Sequence, residues 1–228
     1  MRRAYFLDGG GPAMSEAPIL KDTTRSSGRE ALQKNIQAAM ALSEAIRSTL
    51  GPKGLDKLLI DDDGRTLVTN DGVTVLETAK VEHPVAKMMI NASSTQDRIA
   101  KDGTTSTVIL AGEMLQNAWQ LILQGIHPST IARGYRKSEQ YVLECMHELL
   151  MESNEEIRKD VVKTSLAGKG YNSMQEVIAN VSLEAVKMVA EGDNSVDISK
   201  IKLISQTGGI VEDSRVFRGL MMPKKRIS

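Results

Sequence analysis

The residues with the clearest chemical potential stand together in one short segment, Asp102–Ser106 (DGTTS). This segment directly precedes a helical stretch, and the first turn of a helix carries unpaired backbone N–H groups and a partial positive charge. Such a turn can hold phosphate groups with help from hydroxyl side chains, and the Asp102 carboxylate suits a Mg²⁺ ion that bridges the phosphates. An Asp/Thr cap that only opens the helix is the more common use of these residue types. The candidate phosphate binders are Gly103, Thr104, Thr105 and Ser106.

Two other short segments are candidates for the same site. Gly51 and Pro52 lie in a loop (LGPKG) where backbone can approach a ligand closely, although a Gly-Pro pair after a helix commonly serves only to end it. Asp71, in an Asn-Asp-Gly turn, is a candidate for orienting an attacking water molecule, but capping the following helix is the commoner role of such an aspartate. Each signal is weak by itself, and the alternatives stay open.

Composition excludes several kinds of site and partner. The sequence has no GxxxxGK[ST] loop and no GxGxxG after a strand, so its phosphate site must be of another kind. The 29 basic and 29 acidic residues cancel, and two Phe, one Trp and four Tyr are too few for a base-stacking platform. We therefore predict no nucleic-acid partner. A single cysteine, Cys145, and the lack of a long apolar run predict a reduced, cytoplasmic chain with no membrane partner.

The elements that would position these residues are mainly helical. Apolar residues recur at three- and four-residue steps over 32–50, 108–122 and 131–149, which predicts three amphipathic helices. Two short β runs, 57–60 and 66–69, flank an Asp-rich turn and predict a hairpin. The first helix is expected to end at the Gly-Pro pair, and a short helix is expected to begin at the Asn-Asp-Gly turn.

A second segment is predicted to follow, with a boundary near residues 152–157. Capping boxes at Ser153 and Ser173 each predict the start of a helix. After Gly192 the sequence favours β structure, over 200–205 and 216–222. The predicted fold class is mainly α with a small β component.

Taken in chain order, these segments resemble a group II chaperonin subunit, the family of the archaeal thermosome and eukaryotic TRiC. Agreement of so many motifs in this order is not a chance event. The resemblance runs from about residue 19 to the C-terminus. Its motifs are TLGPKGLDK (49–57), TNDG (69–72), VEHP (81–84), TQD (95–97), DGTT (102–105), GIHP (125–128), ARGYR (132–136) and KTS (163–165).

The resemblance implies an ATP-dependent molecular chaperone subunit that needs Mg²⁺. Its expected partners are other chaperonin subunits in a ring and unfolded polypeptides. The implied architecture is a multi-helical equatorial domain with one β-hairpin, followed by an α+β intermediate segment. The implied divisions are a disordered tail (1–18), the N-terminal half of the equatorial ATP-binding domain (19–156), the ascending intermediate segment (157–220) and the start of an apical domain (221–228).

The resemblance also implies a role for each candidate site residue. Asp102 matches the Mg²⁺ ligand of the family, and residues 103–106 match its phosphate binders. Asp71 matches a catalytic carboxylate near the γ-phosphate that orients water. The remaining nucleotide-binding residues match the loop over the nucleotide and a segment that reaches back toward it: Gly51, Pro52, Thr164 and Ser165.

One residue departs from the family pattern, which has Gly immediately before the Asp of the Mg²⁺ site. Here that position is Lys101. If the backbone needs a positive φ there, Lys101 carries a strain of about 1 kcal/mol or more, and its ammonium is available to pair with Asp102 or with phosphate. We predict that Lys101→Gly raises nucleotide affinity or turnover in a chain restored to full length.

Subunits of the resembled family are more than twice as long, and a further catalytic Asp of the family matches no residue here. We therefore expect a truncated subunit with apolar helix faces exposed for lack of partners. Translation is expected to start at Met14, because residues 1–13 carry no pattern that the following helix could use. Two alternatives are a non-hydrolysing half-subunit or interaction module that binds full-length chaperonin subunits, and an incomplete gene fragment.

Overall fold

The structure is a computed structural model that describes residues 26–60, 63–79, 81–170, 173–190, 196–205 and 207–219. The expected tail (1–18), the Met14 start and the expected apical start (221–228) lie outside these residues. The chain divides into two compact units, residues 1–149 and 150–228. The helices are α1 (Gly28–Arg47), α2 (Gly72–Thr78), α3 (Pro84–Ala100), α4 (Thr104–Leu123), α5 (Pro128–Glu148), α6 (Glu155–Leu166) and α7 (Gln175–Val189).

One apolar core joins the first four helices. Each helix presents apolar residues at three- or four-residue spacing, so one stripe of each faces inward. Burying a large aliphatic side chain stabilises a fold by about 1.5–3 kcal/mol, so this cluster dominates the stability of the unit. It fixes α2 and α4, whose first residues carry the candidate site. Its buried members are Ala39, Leu42, Ile46, Val75, Leu76, Ala86, Met89 and Val108.

The crossing of α1 and α4 depends on a glycine. A Cβ added at Gly112 would lie 2.5 Å from the Cβ of Ser43, so only glycine fits the approach of the two helices. Arg47, in the last turn of α1, forms ion pairs with Glu113 of α4 and with Glu44. These carboxylates raise the pKa of Arg47 above its usual value. The close approach at Gly112 and the Arg47–Glu113 pair hold the end of α1 against α4.

A two-stranded antiparallel hairpin lies between α1 and α2. Its strands are β1 (Lys57–Ile60) and β2 (Thr66–Thr69), and Lys57 pairs with Thr69 at the open end. The predicted hairpin is confirmed. Because β2 ends at Thr69, the chain reaches the start of α2 three residues later.

The second unit is built on α6 and α7. The α6–α7 contact includes three cross-helix ion pairs: Lys159 and Lys163 both reach Glu176, and Lys187 reaches Glu155. Short 3₁₀ turns follow at Ile198–Lys200 and Val211–Asp213.

The mainly α fold with one hairpin is confirmed, and three predictions of where an element lies are wrong. The first helix stops at Arg47, before Leu50, because the N–H and hydroxyl of Thr49 both bind the carbonyl of Ile46. The strand predicted over 200–205 does not form in the described segment 196–205; instead Ile198–Lys200 is a 3₁₀ turn. A β run needs a neighbouring strand for its hydrogen bonds. Residues 216–219 are likewise not a strand, and 220–222 lie outside the described residues.

The predicted capping boxes were each wrong by one residue. The cap of α6 is Asn154, whose Oδ1 accepts the N–H of Ile157 at 2.8 Å, while Ser153 binds the side chain of Arg158. The cap position of α7 is Met174, and no side chain caps that helix. In the part of the chain that the structure describes, no helix is long and apolar enough to cross a membrane.

Candidate functional site

Two residues in the segment before α4 adopt the left-handed backbone conformation, one on each side of Asp102. Lys101 has φ 56° and ψ 17°, and Gly103 has φ 77° and ψ 12°. Lys101 is the only non-glycine with positive φ among the described residues. The Asp102 carboxylate between them turns back, and its Oδ1 accepts the N–H of Gly103 at 2.7 Å. The condition under which Lys101 was expected to carry backbone strain, a positive φ at that position, is therefore met.

Helix α3 anchors this turn from behind. Ser93, which is 1% exposed, donates its hydroxyl to the carbonyl of Thr104 at 3.2 Å. Gln96 donates its amide N–H to the carbonyl of Asp102 at 3.0 Å. In both bonds the acceptor is a backbone carbonyl, so neither bond occupies a backbone N–H group of the turn. The N–H groups in the first turn of α4 have no intrahelical partner, which is the condition for holding an anion.

The four predicted phosphate binders differ in exposure. The side chains of Thr104 and Thr105 are buried, while Ser106 is exposed. Gly103 occupies the cap position of α4, where its carbonyl accepts the hydroxyl of Thr107 at 2.8 Å. The candidate phosphate site at the start of α4, called the cradle below, is therefore shaped by backbone and by the buried Thr104 and Thr105. The exposed Ser106 hydroxyl lies beside it.

The structure brings the start of α2 against this turn. A Cβ at Gly72 would overlap Oγ1 of Thr105 and would lie 3.4 Å from the Thr105 Cα. Asp71 is the residue before this contact, and it caps α2 by accepting the N–H of Thr74 at 3.0 Å and the Thr74 hydroxyl at 2.5 Å. Asp71 remains exposed. Thus two segments separated by about 30 residues, each weak as a motif, converge.

The loop that carries Gly51 and Pro52 is closed on itself. Gly54 N–H binds the carbonyl of Gly51 at 2.9 Å, and Leu55 N–H binds the carbonyl of Ser48 at 2.7 Å. Gly51 has φ 78°, and a Cβ there would meet open space. Gly51 and Pro52 are both exposed. The loop thus leaves room for a ligand, and its approach to the cradle stays a prediction.

Thr164 and Ser165 lie in α6 of the second unit. Ser165 donates its hydroxyl to the carbonyl of Val162 at 2.7 Å, a bond within its own helix. Both residues are exposed. Their expected reach toward the nucleotide stays a prediction.

The Lys101 ammonium has a different partner from either of those expected. It binds the carboxylate of Asp97 at 3.0 Å, one helical turn back in α3. The expected ion pair between Lys101 and Asp102 does not form, because the Asp102 carboxylate accepts the N–H of Gly103 instead. Among the described residues no cluster of three or more His, Cys, Asp or Glu side chains gathers as a metal site. A cation at this turn would depend on one carboxylate and on oxygens of its ligand.

Sequence reasoning missed the residues that support the site. Ser93 and Gln96 stabilise the turn through backbone carbonyls, and Thr74 holds the Asp71 carboxylate. Predicting a helix over residues 84–100 would have placed Ser93 on the same face as Ala86 and Met89, which are buried and lie seven and four residues earlier. The polar contacts themselves have no sequence signal.

Comparison with known proteins now decides the family. Residues 42–228 match the model of the TCP-1/cpn60 chaperonin family. The chain belongs to this family. It is 43% identical over 214 residues to thermosome subunit beta of Archaeoglobus fulgidus, covering 91% of this chain and 39% of that protein. It is 43% identical over 209 residues to the thermosome subunit of Methanopyrus kandleri, covering 89% and 38%.

A third relative, the thermosome subunit of Pyrococcus horikoshii, is 42% identical over 217 residues, or 91% of this chain and 40% of that protein. The resemblance to a group II chaperonin subunit is therefore confirmed. The chain spans about two fifths of the length of the curated relatives that it matches.

Proposed function

We propose that this chaperonin-family chain binds ATP with Mg²⁺ at the turn before α4. The single observation that carries the proposal is the packing of Gly72 on Thr105, because it brings the Asp71 turn to the glycine- and hydroxyl-bearing start of α4. The residues present fit the ligand. A helix N-terminus with buried threonines suits phosphate, and the Asp102 carboxylate suits Mg²⁺.

Each residue then has a defined task. The backbone N–H groups of residues 104–106 and the hydroxyls of Thr104, Thr105 and Ser106 would hold phosphate oxygens. Asp102 would hold Mg²⁺, whose chemistry is to neutralise charge on the phosphates. Gly51 and Pro52 would cover the nucleotide. Asp71, held by Thr74, would orient a water molecule.

At the level of the assembly, we propose that the chain acts as a subunit of a cytoplasmic ring chaperone that binds unfolded polypeptides. The first unit, to residue 149, would be the equatorial part, and the second the intermediate part. The family membership and the names of the thermosome relatives support this proposal. Thr164 and Ser165 would contact the nucleotide from the second unit.

Isothermal titration of the chain with Mg·ATP tests the binding proposal. Asp102→Asn keeps an oxygen that can accept the Gly103 N–H but removes the charge, so it separates the metal ligand from the local cap. We expect Mg·ATP affinity to fall more than about tenfold, since even outer-shell groups of metal sites cost that much. Glu30→Gln, an exposed change at the far end of α1, serves as the control and should bind as the parent does.

Two results would overturn the proposal. One is the absence of binding by a chain that circular dichroism shows to be folded. The other is equal binding by the parent and Asp102→Asn, which would mean that nucleotide binds elsewhere.

A further inference from the structure

Gln96 lies over the peptide bond that joins Asp102 to Gly103. Its side-chain N–H donates to the carbonyl of Asp102 at 3.0 Å. A Cβ added at Gly103 would lie 3.3 Å from the Gln96 Nε2 and 3.9 Å from its Cγ and Cδ, so this side chain also packs on the turn. Gln96 belongs to the TQD segment (95–97), which holds none of the candidate site residues.

The hydrogen bond from Gln96 sets the direction in which this peptide faces. The peptide is trans, so its carbonyl and its N–H point in opposite directions. Because the carbonyl of Asp102 faces Gln96 in α3, the N–H of Gly103 faces away from Gln96. On that side the N–H binds Oδ1 of the Asp102 carboxylate at 2.7 Å. The same peptide therefore connects Gln96 to the candidate Mg²⁺ ligand.

Glycine at position 103 leaves the opposite orientation accessible. Gly103 has φ 77°, and glycine adopts positive and negative φ about equally well. Turning the peptide over would reverse the sign of this φ and would bring a carbonyl oxygen, in place of the N–H, toward the Asp102 carboxylate. That carboxylate favours the observed orientation too, but it is the group that would bind Mg²⁺. The bond from Gln96 comes from a residue outside the turn.

Helix α3 is well suited to hold the turn accurately. Ser93 is buried and donates its hydroxyl to the carbonyl of Thr104, so α3 binds one carbonyl on each side of Gly103. The same helix is fixed by Ala86 and Met89, which belong to the apolar core. Dense packing of that kind tolerates little displacement. The Gln96 amide therefore starts from a firmly placed backbone.

We propose that Gln96 is a positioning residue for Mg²⁺ at the proposed ATP site. It keeps the N–H of Gly103 toward the Asp102 carboxylate, and that N–H holds the carboxylate in place. An amide suits the task, because it donates a hydrogen bond without adding a charge beside Asp102. The Mg²⁺ part of this inference rests on the proposed function, whereas the orientation of the peptide needs no ligand.

Selective isotope labelling reads this peptide in the chain without nucleotide. With ¹³C-carbonyl aspartate and ¹⁵N-glycine, a carbonyl–amide NMR correlation spectrum contains only Asp–Gly peptides, and the sequence has four: 8–9, 63–64, 71–72 and 102–103. Asp102→Asn identifies the last peak by removing it. Gln96→Met keeps a similar length but loses the donor. The Asp102 carbonyl carbon should then move to lower ppm, because a hydrogen bond deshields a carbonyl carbon.

Gln96→Glu tests the orientation in the opposite sense. An ionised carboxylate accepts hydrogen bonds and cannot donate one, so it favours the peptide turned over, with the N–H of Gly103 toward position 96. Both the carbonyl carbon and the amide nitrogen of the 102–103 peak should move further than in Gln96→Met. Gln120→Met and Gln120→Glu are the matched controls, because Gln120 is exposed and lies 16 residues beyond the start of α4. Both controls should leave that peak in place.

Isothermal titration with ATP tests the consequence for Mg²⁺. The ratio of the affinity for Mg·ATP to the affinity for ATP in EDTA isolates the contribution of the metal ion. In Gln96→Met this ratio should fall about two- to tenfold, the range expected for one hydrogen bond. A general loosening of the site would lower both affinities and leave the ratio unchanged. Gln120→Met should keep the parent ratio.

Two outcomes would overturn the inference. One is a 102–103 peak that Gln96→Met leaves in place, and the other is a peak that moves while the affinity ratio keeps its parent value. A parent chain that binds no ATP would contradict the proposed function and with it the Mg²⁺ role, and the labelled spectra would then decide whether Gln96 sets the peptide. Circular dichroism spectra equal to that of the parent separate a reoriented peptide from lost folding.

Discussion

The two units of the molecule hold their helices together by different forces. In the first unit, α1 to α4 share a core with eight buried apolar side chains. In the second unit, Ala179 is the only buried residue among those described, and α6 and α7 are joined by ion pairs at an exposed surface.

This difference bears on where a ligand site can be positioned accurately. Apolar packing is dense and tolerates little displacement, so α2 and α4 keep the Asp71 turn against the Thr105 turn. Exposed ion pairs contribute at most about 1 kcal/mol each and respond to salt and pH. The first unit thus suits a preformed site, and the second suits a segment whose internal contacts can change.

Removing a core side chain from the first unit should give the largest loss in the free energy of unfolding. A small loss would contradict the difference between the two units. Leu76→Ala, at a position 1% exposed, should lower the free energy of unfolding by about 2–5 kcal/mol. Leu183→Ala, at a half-buried position of α7, should cost less than half as much. Urea denaturation followed by circular dichroism measures both, and equal losses would contradict a difference between the units.

Crowding the contact between Gly72 and Thr105 should have the next largest effect. Gly72→Ala should cost about 1–3 kcal/mol, because the new Cβ overlaps the Thr105 Oγ1. Thr105→Ala removes that oxygen and should recover part of the loss. A double-mutant cycle from urea midpoints should give a coupling of about 0.5–3 kcal/mol. Additive losses would mean that the two turns do not touch.

Relieving the backbone strain at Lys101 should change stability in the opposite direction. Lys101→Gly should stabilise the first unit by about 1 kcal/mol, since glycine adopts the left-handed conformation without a Cβ penalty. It also removes the exposed ion pair with Asp97, which is worth less. Lys101→Ala loses the same ion pair but keeps the Cβ, so it should show no gain. An equal gain in both variants would assign the effect to charge.

The smallest effect should come from acid, and it should be confined to the second unit. Hydrogen bonds from Lys159 and then Lys163 hold the pKa of Glu176 below its ordinary value. Its contribution is therefore complete above that ordinary value, about 4.3, and is lost as the pH falls through the lowered pKa. Hydrogen exchange of α6 and α7 should accelerate between pH 5 and pH 3, after correction for intrinsic rates, and less so in Glu176→Gln, which lacks the ion pairs at every pH.

Local sequence patterns predicted most elements of the first unit because their causes are local. The hairpin at 57–60 and 66–69 follows from two β runs around a turn, and the start of α2 follows from Asp71 as a cap. The strand predicted over 200–205 failed because a strand depends on a neighbour that its own residues do not specify. The predicted cap position of α6 was wrong by one residue, because Ser153 and its neighbour Asn154 are both residue types that can cap a helix.

The sequence by itself determined the helical character of the chain, the residue types of the candidate site and the family. Periodicity, capping residues and ordered motifs are properties of neighbours along the chain. Only the tertiary structure decided that Gly72 meets Thr105, that Ser93 and Gln96 support the turn before α4, and that Lys101 pairs with Asp97. These contacts arise where helices pack, and packing depends on the fit of side chains that lie far apart in sequence.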